Sequence, residues 1–180
     1  MLTFEDFLQR NERFAEKHTN DLTIMPRSLT IILSCLDART DPAQFLGIEA
    51  GDALVMRTAG ARVGDDLALD LGILWRMVQR MQGEHFKGIS FAIVQHTNCG
   101  FERLANPDMA AGLSRALSIN VDKITKRAIY NHEQSMQNDI TKLKNSPYVP
   151  NEMVVGGYLF DLDSGLVNEV IEKRPLSEHS

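Results

Sequence analysis

Two short apolar runs decide most of what this chain can become. Leu29-Thr30-Ile31-Ile32-Leu33-Ser34 and Ile89-Ser90-Phe91-Ala92-Ile93-Val94 read as strands buried within a sheet. Each run ends in residues that carry chemistry. The first delivers Cys35-Leu36-Asp37-Ala38-Arg39, and the second, past Gln95, delivers His96-Thr97-Asn98-Cys99-Gly100. In open α/β sheets, ligands collect outside the carboxyl ends of the strands. Thiols, an imidazole, a carboxylate and a guanidinium are therefore expected to meet there.

The remaining segments alternate between helical and strand rhythm. Residues 4–19, within an N-terminal stretch 1–20, read as an amphipathic helix with Phe4, Phe7, Leu8 and Phe14 near one face. So aromatic a helix must lie on its own sheet or on a second subunit. Asp41-Pro42 opens a short helix that Gly47 ends, and Ala53–Met56 forms a short strand ending at Arg57. Asp65 or Asp66 is expected to cap a helix reaching Gln82, with Leu67, Leu71, Leu74, Val78 and Met81 in step and Leu69, Ile73 and Met77 widening the stripe. After a third strand over 88–95, a short helix covers Met109–Leu117. A long one is expected over Val121–Lys144, with His132 in a gap of its apolar stripe. Residues 153–162 and 166–171 pair as a hairpin around Asp163-Ser164-Gly165, and 172–180 reads as a polar tail. The expected architecture is a single α/β domain over 1–180. It has three layers: a mainly parallel central sheet with right-handed crossovers, an antiparallel edge strand, and helices on both faces.

Charge and length exclude several classes of partner. A formal net charge of −5 gives no electrostatic reason to expect nucleic acid or an anionic membrane. No apolar stretch approaches the roughly 20 residues of a membrane span. The opening Met1-Leu2-Thr3-Phe4-Glu5-Asp6 lacks a basic region followed by an apolar one, which gives the expectation of a cytoplasmic protein. Thr58-Ala59-Gly60-Ala61-Arg62-Val63-Gly64 superficially resembles a phosphate cradle, but has neither the G-x-G-x-x-G spacing nor a P-loop Lys-Ser/Thr.

Cys35 and Cys99 are the only cysteines. In an intracellular chain two thiols are metal ligands, catalytic groups or core residues more often than a disulfide. Zinc takes thiolates and imidazoles, and a catalytic zinc keeps one position for water. His96-x-x-Cys99 is a close ligand pair and Cys35 a third ligand from another strand end. Asp37 is placed to orient water at the fourth position, and Arg39 to hold Asp37 ionised by a charge-assisted pair. In an alternative geometry Asp37 turns inward as the fourth ligand and closes the site. A purely structural zinc site would usually supply four Cys and His ligands, and three are evident. A Cys–His thiol hydrolase would leave Cys99 without a role. A phosphatase loop sets its Cys and Arg further apart than Cys35 and Arg39, which are four positions apart.

C-x-D-x-R followed some sixty residues later by H-T-x-C-G resembles the β-class carbonic anhydrases. Gly51–Gly60 (GDALVMRTAG) is similar to that family's G-D/E-A-x-x-x-R-N-A-G segment, and Gly156–Gly165 (GGYLFDLDSG) to its closing strand and turn. The resemblance implies zinc on Cys35, His96 and Cys99, with Asp37 and Arg39 controlling the fourth position. It implies reversible hydration of carbon dioxide to bicarbonate and a proton, in a homodimer or a multiple of dimers. Leu54 matches an apolar pocket position of plant-type members; Ala59, Gly60 and Gly100 are the other candidates for the substrate pocket. Some members of the family hydrolyse carbonyl sulfide or carbon disulfide with the same site, so these are the alternative substrates. The chain departs from the pattern at Ala38, where Ser is commonest, and at Gln95, where Gly is frequent. Pro26 stands where plant-type members carry a substrate-contacting Gln. Ile32 stands where bicarbonate-regulated members carry Trp, although Arg57 matches another part of that regulatory site.

Overall fold

A computed structural model describes residues 1–179. Five strands form one sheet: β1 (Thr30–Cys35), β2 (Leu54–Thr58), β3 (Ser90–His96), β4 (Val154–Phe160) and β5 (Val167–Pro175), in the spatial order β2-β1-β3-β4-β5. The first four run parallel, and β5 returns antiparallel along β4. Strand β1 therefore lies between β2 and β3. In the register Cys35 faces Thr58 of β2, and Leu33 faces Ile93 of β3. Parallel neighbours put their carboxyl ends on one edge of the sheet, which brings Cys35 and His96 together.

Alternation along the strands divides the interior. Ile31, Leu33, Phe91, Ile93 and Val155 enter the larger apolar cluster, together with Leu67, Leu71, Trp75 and Val78 of α3 (Asp65–Gln82) and Met136, Ile140 and Leu143 of α6 (His132–Lys144). Ile32, Val94 and Phe160 form a smaller cluster, covered by Phe45 of α2 (Pro42–Phe45) and by Ile48. The Phe45 and Phe160 rings stack at 4.2 Å. Full burial of such side chains contributes about 1.5–3 kcal/mol each, so the larger cluster dominates the stability. Gly72 in α3 allows the closest approach: a Cβ there would lie 2.6 Å from the carbonyl oxygen of Tyr148.

Four sequence expectations are corrected. The N-terminal helix, α1, spans Phe4–Ala15 rather than 4–19. A capping box between Thr3 and Asp6 sets its start, and none of its residues is buried. Helix α3 is capped by Gly64, and Asp65 and Asp66 instead occupy its first turn, where their charge favours the helix dipole. The long helix expected over 121–144 is divided into α5 (Asp122–Thr125) and α6; α4 (Pro107–Leu117) precedes them. The division has a physical cause. Arg62 donates to the carbonyls of Arg127 and Ala128, which a continuous helix would need for its own ladder, and Asn131 caps α6 by accepting from the Gln134 N–H. Finally, the supposed polar tail is structure. Strand β5 runs to Pro175, Leu176 is fully buried, and buried His179 sets its Nε2 against the carbonyls of Val155 and Arg174. Ser180 lies outside the described residues.

Candidate metal centre

Cys35 closes β1, His96 closes β3, and Cys99 follows on a tight loop in which Asn98 takes a positive φ of 55°. The three side chains converge: one donor atom from each lies within 4.8 Å of the others, and all three residues are buried. The two sulfurs are 3.9 Å apart, sharing a thiol hydrogen bond and no disulfide.

The donor set suits a zinc ion in kind as well as in spacing. Donation from His96 Nδ1–H to the carbonyl of Thr97 at 2.9 Å leaves the Nε2 lone pair free, the usual arrangement of a metal-bound imidazole. Nε2 is buried and has no hydrogen-bond partner. A buried polar atom left unpaired costs about 1–3 kcal/mol, and a cation would remove that cost. The thiols point the same way. A hydrogen bond from Cys99 lowers the pKa of the Cys35 thiol, while that bond and burial raise that of Cys99. Two adjacent sulfurs thus share one proton, and a divalent cation could replace it and hold both as thiolates.

The β1 end also carries Asp37 and Arg39. Their pairing is bidentate: Arg39 Nε donates to Asp37 Oδ1 at 2.9 Å and Nη2 to Oδ2 at 2.6 Å. The Arg39 backbone N–H adds a third bond to Oδ1 at 3.0 Å. These hydrogen bonds hold the Asp37 carboxyl well below the usual carboxylate range. Asp37 Oδ2 is 3.9 Å from His96 Nε2, so the carboxylate stands beside the donor cluster. Arg39 Nη2 also donates to the carbonyl of Asn98 at 3.2 Å, clipping the two strand ends together.

Two supports escaped the sequence reading. Arg57 of β2 donates from Nε to the carbonyl of Cys35 at 2.9 Å and from Nη2 to that of Asp37 at 2.6 Å, so it braces the ligand loop. On the other side Glu102 Oε1 accepts the Cys99 N–H at 2.9 Å and lies 3.1 Å from His132 Nε2. The Cys99-x-x-Glu102 spacing, a capping pattern with Glu three residues after the cap, was the available signal.

The pocket candidates are scattered. Leu54 is half-buried in β2 against the larger core. Ala59 and Gly60 form a 3-10 turn directly after β2, and Gly100 is exposed beyond Cys99. Gly60 has φ +71°, and a Cβ there would meet the Phe101 side chain at 3.2 Å, so this turn requires glycine. Ala59 borders a cleft of ≈ 940 Å³, which Leu54, Gly60 and Gly100 do not line.

Residues 30–155 match the family model described as carbonic anhydrase. The chain belongs to the β-carbonic anhydrase family. It is similar to beta-carbonic anhydrase 1 of Mycobacterium tuberculosis, 25% identical over 170 residues that cover 94% of this chain and 99% of the relative. A carbonic anhydrase from Streptococcus mutans has the same fold, with a TM-score of 0.78 and 30% identity over 94% of this chain and 98% of that one. The carbon disulfide hydrolase of Saccharolobus solfataricus is 24% identical over 157 residues, covering 74% of this chain and 72% of the relative. For a β-carbonic anhydrase, Cys35, His96 and Cys99 are the group positioned to bind zinc. No helix among the described residues is long and apolar enough to cross a membrane.

Proposed function

We propose that this β-carbonic anhydrase catalyses the reversible hydration of carbon dioxide to bicarbonate and a proton, with zinc held by Cys35, His96 and Cys99. The Asp37–Arg39 pair beside the donor cluster is the observation that carries the reading. A zinc ion there supplies the Lewis acidity that makes water a nucleophile near neutral pH. Asp37, kept ionised by Arg39, has only acceptor oxygens to offer. It takes a hydrogen bond from the attacking water and leaves that water's lone pair free for the substrate carbon. Arg39 therefore decides where Asp37 points. Released from Arg39, the carboxylate would be free to turn inward as a fourth ligand and close the site. Leu54, Ala59, Gly60 and Gly100 are the proposed approach for a small, linear, uncharged substrate.

Hydrolysis of carbonyl sulfide or carbon disulfide is the second reading, supported by the similarity to carbon disulfide hydrolase. Carbon dioxide is favoured because the likeness to carbonic anhydrases extends over nearly the whole chain. Stopped-flow hydration of carbon dioxide, run beside sulfide-release assays on the zinc-loaded protein, separates the two. Sulfide release without hydration would replace the first reading by the second. Neither activity in a zinc-replete protein would leave a non-catalytic zinc protein.

The working unit is proposed to be a homodimer or a multiple of dimers. Phe4, Phe7, Leu8 and Phe14 of α1 are exposed, as are Leu69, Ile73, Met77 and Met81 of α3. Isolated helices shorter than about 12–15 residues are marginal in water, so α1, at 12 residues, needs a surface to lie on. A second copy provides one. Light scattering that gave a monomer at micromolar concentration would refute this. A reducing, cytoplasmic setting suits two unbonded sulfurs that must both remain available to a metal.

A further inference from the structure

A chain of buried and half-buried polar groups runs up to the segment that carries His96 and Cys99. Ser135 Oγ accepts from Gln95 Nε2 at 2.9 Å, and Gln95 Oε1 accepts from His132 Nδ1 at 2.9 Å. His132 Nε2 meets Glu102 Oε1 at 3.1 Å, and the same oxygen accepts the Cys99 N–H at 2.9 Å. Gln95 is fully buried and Ser135 nearly so. Gln95 directly precedes the ligand His96 in β3, and the last bond reaches the ligand Cys99. His132 and Ser135 both belong to the opening turn of α6. One helix terminus therefore grips both ends of the segment that supplies two of the three donors.

We propose that His132 is a positioning residue of the metal centre, acting through Glu102 on Cys99 and through Gln95 on the strand that carries His96. The inference rests on the reading of Cys35, His96 and Cys99 as zinc ligands and extends it to what holds them. The Glu102 side chain is 37% exposed and would swing freely on its own. The imidazole fixes it, because His132 is itself fixed at both nitrogens. With Glu102 held, the Cys99 amide is engaged and the 97–100 loop cannot rotate its sulfur away from Cys35 and His96. Burial of His132 opposes its charge and the adjacent Glu102 carboxylate favours it, with burial prevailing. Groups that orient metal ligands in this way typically account for about 10–100-fold in metal affinity.

Zinc affinity measured by competition with a chromophoric chelator tests this in the wild type, His132→Ala, Glu102→Ala and the double variant. Cobalt(II) substitution adds a spectroscopic readout, the thiolate-to-cobalt charge-transfer band. His132→Ala is expected to weaken zinc binding by about tenfold or more and to shift that band. The double variant should lose clearly less than the product of the two single losses, since both residues act on the Cys99 contact, and any loss beyond Glu102→Ala reports the route through Gln95. Glu102→Gln, which keeps an acceptor oxygen for the Cys99 amide, should recover most of the affinity lost in Glu102→Ala. Unchanged affinity and spectrum in a folded His132→Ala would overturn the inference, as would losses that multiply in the double variant. If His132→Ala and His132→Asn both fail to fold, His132 holds the helix rather than the metal centre, and the inference also fails. A wild type that binds no zinc would instead overturn the underlying ligand assignment, so the two failures are distinguishable.

Discussion

The two strand ends that build the centre are made differently. At the β1 end Cys35 is buried at 4%, but beyond it Asp37 and Arg39 turn toward solvent, their side chains 19% and 55% exposed. At the β3 end they are sealed in, with His96 at 1% and Cys99 at 3%. Their braces differ as well. Arg57 holds the β1 end by two backbone carbonyls, leaving the side chains of Cys35 and Asp37 free to act. The β3 end is held by side chains, through Gln95, His132 and Glu102. On the proposed function, the β3 end serves to keep a metal that Cys35 also holds, and Asp37 and Arg39 at the β1 end control what reaches it.

The largest effect expected from that division is at the buried end. His96→Ala removes a donor that nothing nearby can replace. Binding of structural zinc is worth about 10–16 kcal/mol in small peptides, so losing one ligand should weaken zinc by about a thousandfold or more. Metal analysis after dialysis and a carbon dioxide hydration assay should show both metal and activity gone. Arg39→Ala is the contrasting case. Zinc should stay near one per chain while hydration falls by about 10²–10³-fold, the usual loss when a group aligned on the reacting atoms is lost, because Asp37 is no longer held in place. An Arg39→Ala protein that lost its zinc as well would erase the distinction between the ends.

How much of this was legible in the sequence depended on how local each feature is. The donors were legible because Cys35 and the His96–Cys99 pair directly follow apolar strands, and parallel strands leave no choice about which edge those residues share. Asp37 and Arg39 were legible because two-residue spacing after a strand keeps them at its end. The braces were not. Arg57 pairs with carbonyls rather than side chains, so no residue type in the sequence marks its partner. Asp139, buried completely, accepts from Arg62 and the Val63 N–H, and these partners lie more than seventy residues away in the chain. The break before α6 follows from the same Arg62, which takes the Arg127 and Ala128 carbonyls, so the apolar periodicity through 121–144 overran a break that a distant cation imposes.

Arg57→Ala should fall between the two larger effects and silence. It strips two donors from the loop that carries Cys35 and Asp37 but touches no donor atom of the cluster. Zinc affinity is expected to drop by about tenfold, with hydration at saturating zinc reduced less than in Arg39→Ala. The same chelator competition measures it. A loss as great as that of His96→Ala would mean that the open end, too, is chiefly a metal holder.

The smallest expected effect is an absence of titration at Asp37. Its folded-state pKa is depressed, chiefly by the Arg39 hydrogen bonds. A depressed carboxylate contributes stability that is fully present above its unfolded value of about 3.9 and is lost only as the pH falls through the folded one. A bound zinc ion would push the value further in the same direction. Followed by carbon-13 NMR, the Asp37 carboxyl resonance should therefore stay flat between about pH 4 and 8, and any change in hydration rate within that window must come from another group. In zinc-free Arg39→Ala the midpoint should move back toward about 3.9. A wild-type midpoint above about 5 would show that Arg39 does not keep Asp37 ionised, and the outward-facing end would lose the property that separates it from the buried one.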